Sequence, residues 1–266
     1  MKNNFHTHTA RCGHAIGSDE DYVKAAIDGG FEILGFSDHI PYPGYFRQGE
    51  RMHEEELEDY YQSVQALKIK YQDQIKIMMG LEVEFHPQRD PEYLNFIKEQ
   101  LERCDYLLCG QHDTDFGGTD FARGGNDEEL RQYLQDVEVA LSSGMIAYLA
   151  HPDYFMITRP NWGPLEDEIG EGIVALAKKY QIPLELNLNG VRYHKRHYPQ
   201  GDFYPYPFPA FWQKVARENC AVVLGYDVHD PELLRDQKRE ALILDQLQGL
   251  KLNILRDWIP AKKRPA

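Results

Sequence analysis

The sequence predicts an α/β fold, a distorted seven-stranded (β/α)7 barrel. Three observations lead there. Seven apolar, β-rich runs are each followed by a loop and a helix-like stretch, a pattern that implies parallel strands joined by right-handed crossovers. No glycine-rich dinucleotide fingerprint accompanies them, which favours a barrel over a doubly wound sheet. Histidine, aspartate and glutamate recur directly after six of the seven runs, the rim on which βα barrels carry their chemistry.

The first strand, Lys2 to Phe5, ends at His6, and side chains two apart on an extended chain share a face, so His6 and His8 project together. Ser18 is an N-cap for a helix over Asp19 to Asp28, stopped by Gly29-Gly30. Strand two is Ile33 to Phe36, ending in Ser37-Asp38-His39; a turn-rich loop leads to a helix near Glu54 to Tyr71. Ile75 to Met79 is strand three, closing on Gly80-Leu81-Glu82, and Asp90-Pro91 reads as N-cap and first helical residue. Strand four, Tyr106 to Cys109, runs into Gln111-His112 and a glycine- and aspartate-rich loop, Asp113 to Gly125, expected to be a mobile surface segment.

Asn126 caps the next helix, which ends near Gly144. Met145 to Leu149 is strand five, ending in Ala150-His151-Pro152-Asp153, with a helix over Leu165 to Tyr180. Pro183 to Leu188 is strand six, and Arg192 lies just beyond it. Tyr193 to Pro209 is aromatic and proline-laden and has no clear period. Phe211 to Asn219 is helical, Ala221 to Gly225 is strand seven, and Asp227 to Pro231 opens a last helix to about Gln248, with a short strand possible after Lys251.

Composition bounds the function. The 266 residues, 42% hydrophobic and 12% aromatic, suffice for a packed core, and without a composition shift to mark a linker residues 1–266 read as one domain. A net charge of −14 offers no basic field for nucleic acid or anionic membrane. No apolar run is long enough to span a bilayer, and the N-terminus has no secretory core. The four cysteines show no paired framework, so a cytoplasmic location is expected.

The residues after the strands are His6, His8 and His14, His39, Glu82, His112, His151, and Asp227 with His229. Seven histidines and two carboxylates converging on one rim exceed the needs of one tetrahedral ion and suit two or three divalent transition metals, zinc, iron or manganese, with carboxylates to bridge them. Strand six supplies Asn187, Asn189 and Arg192 instead of a ligand. His53 and His86 read as surface residues, His194 and His197 as a substrate loop or solvated turn, and Cys12 as a small buried thiol.

These motifs resemble the PHP (polymerase and histidinol phosphatase) superfamily over residues 4 to 235. They are His6-Thr7-His8 with Cys12-Gly13-His14, Ser37-Asp38-His39, Gly80-Leu81-Glu82, Gln111-His112, Ala150-His151-Pro152 and Asp227-Val228-His229. The resemblance implies that His6, His8, Glu82 and Asp227 bind one ion, that His14, His39 and His229 bind a second, and that Glu82, His112 and His151 bind a third. The segment Leu184 to Arg192 resembles that of the histidinol-phosphate phosphatases, in which an arginine helps hold phosphate. Two positions depart from the pattern, Tyr226 and Asn189, each standing where a serine is usual.

The implied reaction is hydrolysis of a small phosphate monoester, L-histidinol phosphate, in histidine biosynthesis, by in-line attack of a metal-bridging hydroxide. Glu82 and Asp227 would serve as catalytic ligands, and Arg192 and Arg159 would donate to the phosphate. Arg196 and Asn187 are further substrate-binding candidates. Asp153 or Asp113 would protonate the leaving alkoxide. The alternatives are another PHP phosphoesterase acting on a nucleotide, sugar phosphate or phosphotyrosine, a metal-dependent amidohydrolase, and a non-catalytic PHP module. The lack of an eighth full βα unit opposes the amidohydrolase, and the nine filled positions oppose the module.

Overall fold

Each apolar run pairs with the run before it. In the computed structural model, which describes residues 2–86 and 91–263, the strands are β1 (Asn3–Asn4), β2 (Ile33–Phe36), β3 (Lys76–Val83), β4 (Tyr106–Cys109), β5 (Tyr148–Leu149) and β6 (Leu184–Asn187). A hairpin of β7 (Arg196–Tyr198) and β8 (Gly201–Phe203) follows, then β9 (Ala221–Gly225) and β10 (Asn253–Ile254). All strands except the hairpin form one parallel sheet in the order β1-β2-β3-β4-β5-β6-β9-β10. Helices α1 (Asp19–Asp28), α2 (Leu57–Lys70), α3 (Pro91–Arg103), α4 (Asp127–Ser142), α5 (Pro164–Tyr180), α6 (Pro209–Arg217) and α7 (Lys238–Gln246) fill the connections. Among the described residues no helix is long and apolar enough to cross a membrane.

The sheet curls until its ends meet. The chain after β1 bridges the chain after β9 at Thr7 and Val228, with His8 N donating to Val228 O at 3.0 Å and Val228 N to His6 O at 3.3 Å. At the opposite end, Asn3 donates its side-chain amide to Trp258 O. Alternate strand residues Phe5, Ile33, Met78, Tyr106, Leu108, Tyr148 and Val223 pack together as the interior core, as the two-residue period requires. Tyr106 and Tyr148 both donate their hydroxyls to Phe5 O, at 2.7 and 2.9 Å.

Local chemistry explains the helix starts. Ser18 and Asp21 form a capping box before α1, as do Asn126 and Glu129 before α4, each satisfying backbone donors that the first turn leaves free.

Several expectations are corrected. β3 does not stop at Met79: Lys76–Met79 pairs with β2 and Gly80–Val83 with β4. The stagger of a curled sheet demands a strand twice as long as its neighbours. β5 is reduced to Tyr148–Leu149, because only those residues reach the ladder of β4. The unreadable stretch holds the β7–β8 hairpin. The last helix is broken into a 3-10 turn, Pro231–Leu234, and α7, and β10 adds an eighth strand beside β9. The segment 113–125 is anchored rather than loose, with Asp113 and Phe121 buried and the Phe116 ring stacked 3.8 Å over Tyr42. His86 is 2% exposed, not a surface residue. The expected N-cap Asp90 lies outside the described residues.

Candidate metal centre

Glu82 is the midpoint of the site. It lies on the inward face of β3, two positions on from Gly80, and is wholly buried. A Cβ at Gly110, where β4 ends, would overlap Glu82 Oε1, so glycine leaves the space that the carboxylate occupies. Its Oε2 is 3.3 Å from His6 Nε2, 3.4 Å from His8 Nε2 and 3.2 Å from His39 Nδ1. Its Oε1 is 3.0 Å from His151 Nε2 and 3.5 Å from His112 Nε2. Asp227 Oδ1 approaches the first group from β9, 3.2 Å from His8 Nε2 and 3.7 Å from His6 Nε2.

The nine residues expected after the strands therefore converge. His6, His8 and Asp227 form one set with donor atoms within 4.8 Å of one another, His14, His39 and His229 another, and His6, Glu82 and His151 a third. His151 and Asp227 reach the cluster from left-handed backbone, with φ of 27° and 46°, a strain of order 1–3 kcal/mol each that the surroundings must hold.

Two properties of the set fit divalent cations. Buried polar atoms are normally hydrogen-bonded, yet His6 Nε2, His39 Nδ1, Glu82 Oε2, Asp227 Oδ1 and His229 Nε2 are buried without such a partner, and they face one another. The opposite imidazole nitrogens are tied down. His6 Nδ1 lies 2.8 Å from Glu185 Oε1, His8 Nδ1 3.4 Å from Asp38 Oδ1, and His112 Nδ1 2.8 Å from Glu84 Oε1. His14 and His229 turn Nδ1 to the carbonyls of Cys12 and Asp227, both at 3.2 Å. Donation through Nδ1 leaves Nε2 with its lone pair toward the centre, which is how metal-binding histidines are oriented.

Charge is shared unevenly. Burial opposes ionisation of Glu82 and Asp227, but the surrounding histidines outweigh it and hold both carboxyls well below the usual range. Burial likewise opposes a proton on His8 and His112, and neighbouring carboxylates outweigh it, pushing each up to about 9. His39 and His229 go well below the ordinary value through burial and the neighbouring histidines.

The centre opens into a cavity of about 370 Å³. Arg192 and Asp113 line it, beside Tyr154 and Tyr193. The Arg192 guanidinium sits 5.3 Å from the Tyr193 ring centre, and among the described residues no carboxylate stands within ion-pair distance of it. Asp113 is held by Arg47 at 3.1 Å, His86 at 3.1 Å and Tyr42 at 3.2 Å.

Other expected site residues are placed elsewhere. Asp153 is turned away from the cavity, accepting from Phe208 N at 2.5 Å and Trp212 Nε1 at 3.2 Å; it anchors the start of α6, and burial pushes its carboxyl up to about 7. Arg159 is spent on Glu166 at 2.5 Å and Asp127 at 3.0 Å, and Arg196 donates to Ile157 O; neither lines the cavity. Asn187 does not line it either, but donates to Glu185 Oε2 at 2.9 Å and Asp227 Oδ2 at 3.2 Å.

Sequence reasoning assigned no role to Glu185, Glu84 and Asp38, the carboxylates that orient the histidines. Each left a trace. Glu185 interrupts a run of leucines in a wholly buried strand, Glu84 repeats Glu82 at the strand period, and Asp38 adjoins His39. Arg51 grips both oxygens of Glu84, at 3.1 and 3.2 Å.

Residues 4–189 match the model of the PHP domain. The chain is 29% identical over 235 residues to a probable histidinol-phosphatase of Deinococcus radiodurans, covering 85% of each chain. It is 32% identical over 120 residues to the histidinol-phosphatase of Bacillus subtilis, covering 42% of this chain and 44% of that one. In fold it resembles the histidinol phosphate phosphatase of Lactococcus lactis, solved in complex with zinc, L-histidinol and phosphate, with a TM-score of 0.71, 20% identity and coverage of 96% and 95%. A putative histidinol phosphatase from Listeria monocytogenes superposes with a TM-score of 0.71 at 19% identity, covering 90% of this chain and 99% of that one.

Proposed function

The chain belongs to the PHP domain family, and from that membership we propose that it is a metal-dependent phosphomonoesterase hydrolysing L-histidinol phosphate to L-histidinol and phosphate, a step of histidine biosynthesis. One observation carries the reading: the Glu82 carboxylate stands with imidazole nitrogens at both oxygens, and histidines around it line one cavity with Arg192, whose guanidinium has no carboxylate within ion-pair distance among the described residues. The names of the relatives from Deinococcus radiodurans and Bacillus subtilis supply the substrate.

His6, His8 and Asp227 would hold one ion with Glu82; His14, His39 and His229 a second; and Glu82, His112 and His151 a third. Divalent ions so held supply Lewis acidity, neutralising phosphate oxygens and bringing the pKa of water from ~16 towards 7. Zinc, iron and manganese all accept this donor set.

The rest falls to the chain's own residues. Arg192 donates a planar fork to the non-bridging oxygens. Tyr154 and Tyr193 exclude water from the same wall. Asp113, in the cavity with His86 behind it, would be the carboxyl that protonates the leaving alkoxide. Residues 1–266 act as one domain in this reading, since β9 and β10 complete the sheet begun by β1. Free, buried cysteines suit the reducing cytoplasm.

The test is a phosphate-release panel with L-histidinol phosphate beside nucleotides, sugar phosphates and phosphotyrosine. L-Histidinol phosphate should be hydrolysed with the highest kcat/KM. A preference for any other class moves the protein to a different phosphoesterase activity of the family.

A further inference from the structure

Behind the cluster lies a cation that no carboxylate among the described residues claims. Arg239, on α7, is 4% exposed, and among the described residues its guanidinium has no carboxylate within ion-pair distance. It donates to two neutral oxygens, Nη1 to Tyr226 O at 3.3 Å and Nη2 to Asn189 Oδ1 at 3.0 Å. A buried charge without a counter-ion is costly, so its retention calls for a task beyond its immediate partners.

That task is visible one residue further in. Asn189 stands between Arg239 and Asp227 and donates Nδ2 to Asp227 Oδ2 at 3.2 Å. An amide side chain has two ends of similar shape and opposite polarity, and a guanidinium can only donate. Arg239 therefore forces the oxygen of Asn189 toward itself and the NH2 toward Asp227. Turned the other way, the amide would set donor against donor at Arg239 and carbonyl against carboxylate at Asp227. With Asn187 Nδ2 also 3.2 Å from it, Oδ2 of Asp227 is saturated from two sides, which leaves Oδ1 facing His6 and His8.

We propose that Arg239 is a positioning residue of the metal centre: acting through the amide of Asn189, it decides which oxygen of Asp227 is offered to a metal ion. The inference rests on reading the cluster as a metal centre. It also ties the centre to α7, which lies beyond the residues 4–189 that match the PHP domain model.

The test is a titration of metal-free protein with Co²⁺ alone, in competition with a chromophoric chelator, for the parent, Arg239→Met, Arg239→Lys, Asn189→Ala and the double variant Arg239→Met/Asn189→Ala. Loss of a residue that orients a ligand costs roughly 10- to 100-fold in metal affinity, and Arg239→Met and Asn189→Ala should each show such a loss. Because the two act in series, the double variant should bind no more weakly than the worse single one, and Arg239→Lys should retain part of the affinity. Additive losses, or parental affinity in Arg239→Met, would overturn the proposal. If Arg239→Met does not fold, the same cycle built on Arg239→Lys and Asn189→Ala decides it, coupled losses supporting the proposal and additive ones overturning it. A parent that binds no Co²⁺ would overturn the metal-centre reading together with this one. A parent that binds Co²⁺ while both Arg239 variants match it overturns this one alone.

Discussion

His6 Nδ1 lies 2.8 Å from Glu185 Oε1, and both side chains are wholly excluded from solvent. The other oxygen of Glu185 accepts from His151 N at 3.1 Å and from Asn187 Nδ2 at 2.9 Å. One carboxylate on β6 thus orients two candidate ligands from two other strands. A Cβ at Gly225 on β9 would overlap Glu185 Oε1, so the neighbouring strand is shaped around it. β6 supplies no candidate ligand of its own, yet its residues hold candidate ligands carried by other strands.

Both oxygens of Glu185 must accept. Glu185→Gln keeps the shape but turns one acceptor into a donor, setting it against the ring N–H of His6 or the backbone N–H of His151. Metal affinity should fall by roughly 10- to 100-fold, as for other residues that orient metal ligands, read by chelator competition. Parental affinity would mean that the ring of His6 is held by packing alone.

Glu82 faces two groups of histidines, so its charge is shared between them. The parent protein, analysed by inductively coupled plasma mass spectrometry, should carry more than one transition-metal ion per chain. Glu82→Gln should lower that number and remove most of the activity. A fully active parent with one ion or none, or a Glu82→Gln variant with parental metal content and turnover, would falsify the bridging assignment.

Arg192 is on the cavity wall but outside the cluster. Arg192→Ala should lower kcat/KM on L-histidinol phosphate by ~10²–10³, the usual loss for one donor to developing charge. Arg192→Lys should recover only part, because an ammonium lacks the planar fork. Metal content and melting temperature should remain those of the parent. If kcat/KM survives the alanine change, the phosphate is gripped by other groups of the cavity.

The pH behaviour of the metal-free protein follows from His8 and His112, each raised from 6.5 to about 9. A histidine whose pKa is raised by folding contributes stability that is fully present below its unfolded value and is lost as pH rises through the folded one. Metal-free protein should therefore become less stable between about pH 6.5 and 9. A metal ion must displace those same protons, so the rise in melting temperature on adding Zn²⁺ should grow across the same interval. A metal-induced shift that is constant from pH 6.5 to 9 would show that neither histidine holds a proton the metal has to displace.

Much of the fold was legible because its signals are local. The boundaries of α1 and β2 follow from Ser18, Gly29 and one apolar run, all within a few residues of the element they define. The length of β3 was not legible, since it depends on two neighbours pairing with different halves of one strand. The same limit hid the burial of His86, whose polar neighbours in the chain say nothing of Tyr42 and Asp113, its neighbours in space.

The sequence by itself determined the seven βα units and the nine metal-type side chains after six of the strands, because strand period and ligand chemistry are properties of residues and spacing. Only the tertiary structure decided which of the remaining polar residues serve that rim. It turned Asp153 toward Phe208 and Trp212 and spent Arg159 on Glu166 and Asp127, while leaving Arg192 without an ion-pair partner among the described residues and setting Glu185, Glu84 and Asp38 behind the histidines. The physical reason is that a charged side chain goes to whatever counter-charge or donor lies within about 3 Å once the chain is packed. For Glu185 and His6 that partner is 179 residues away along the chain.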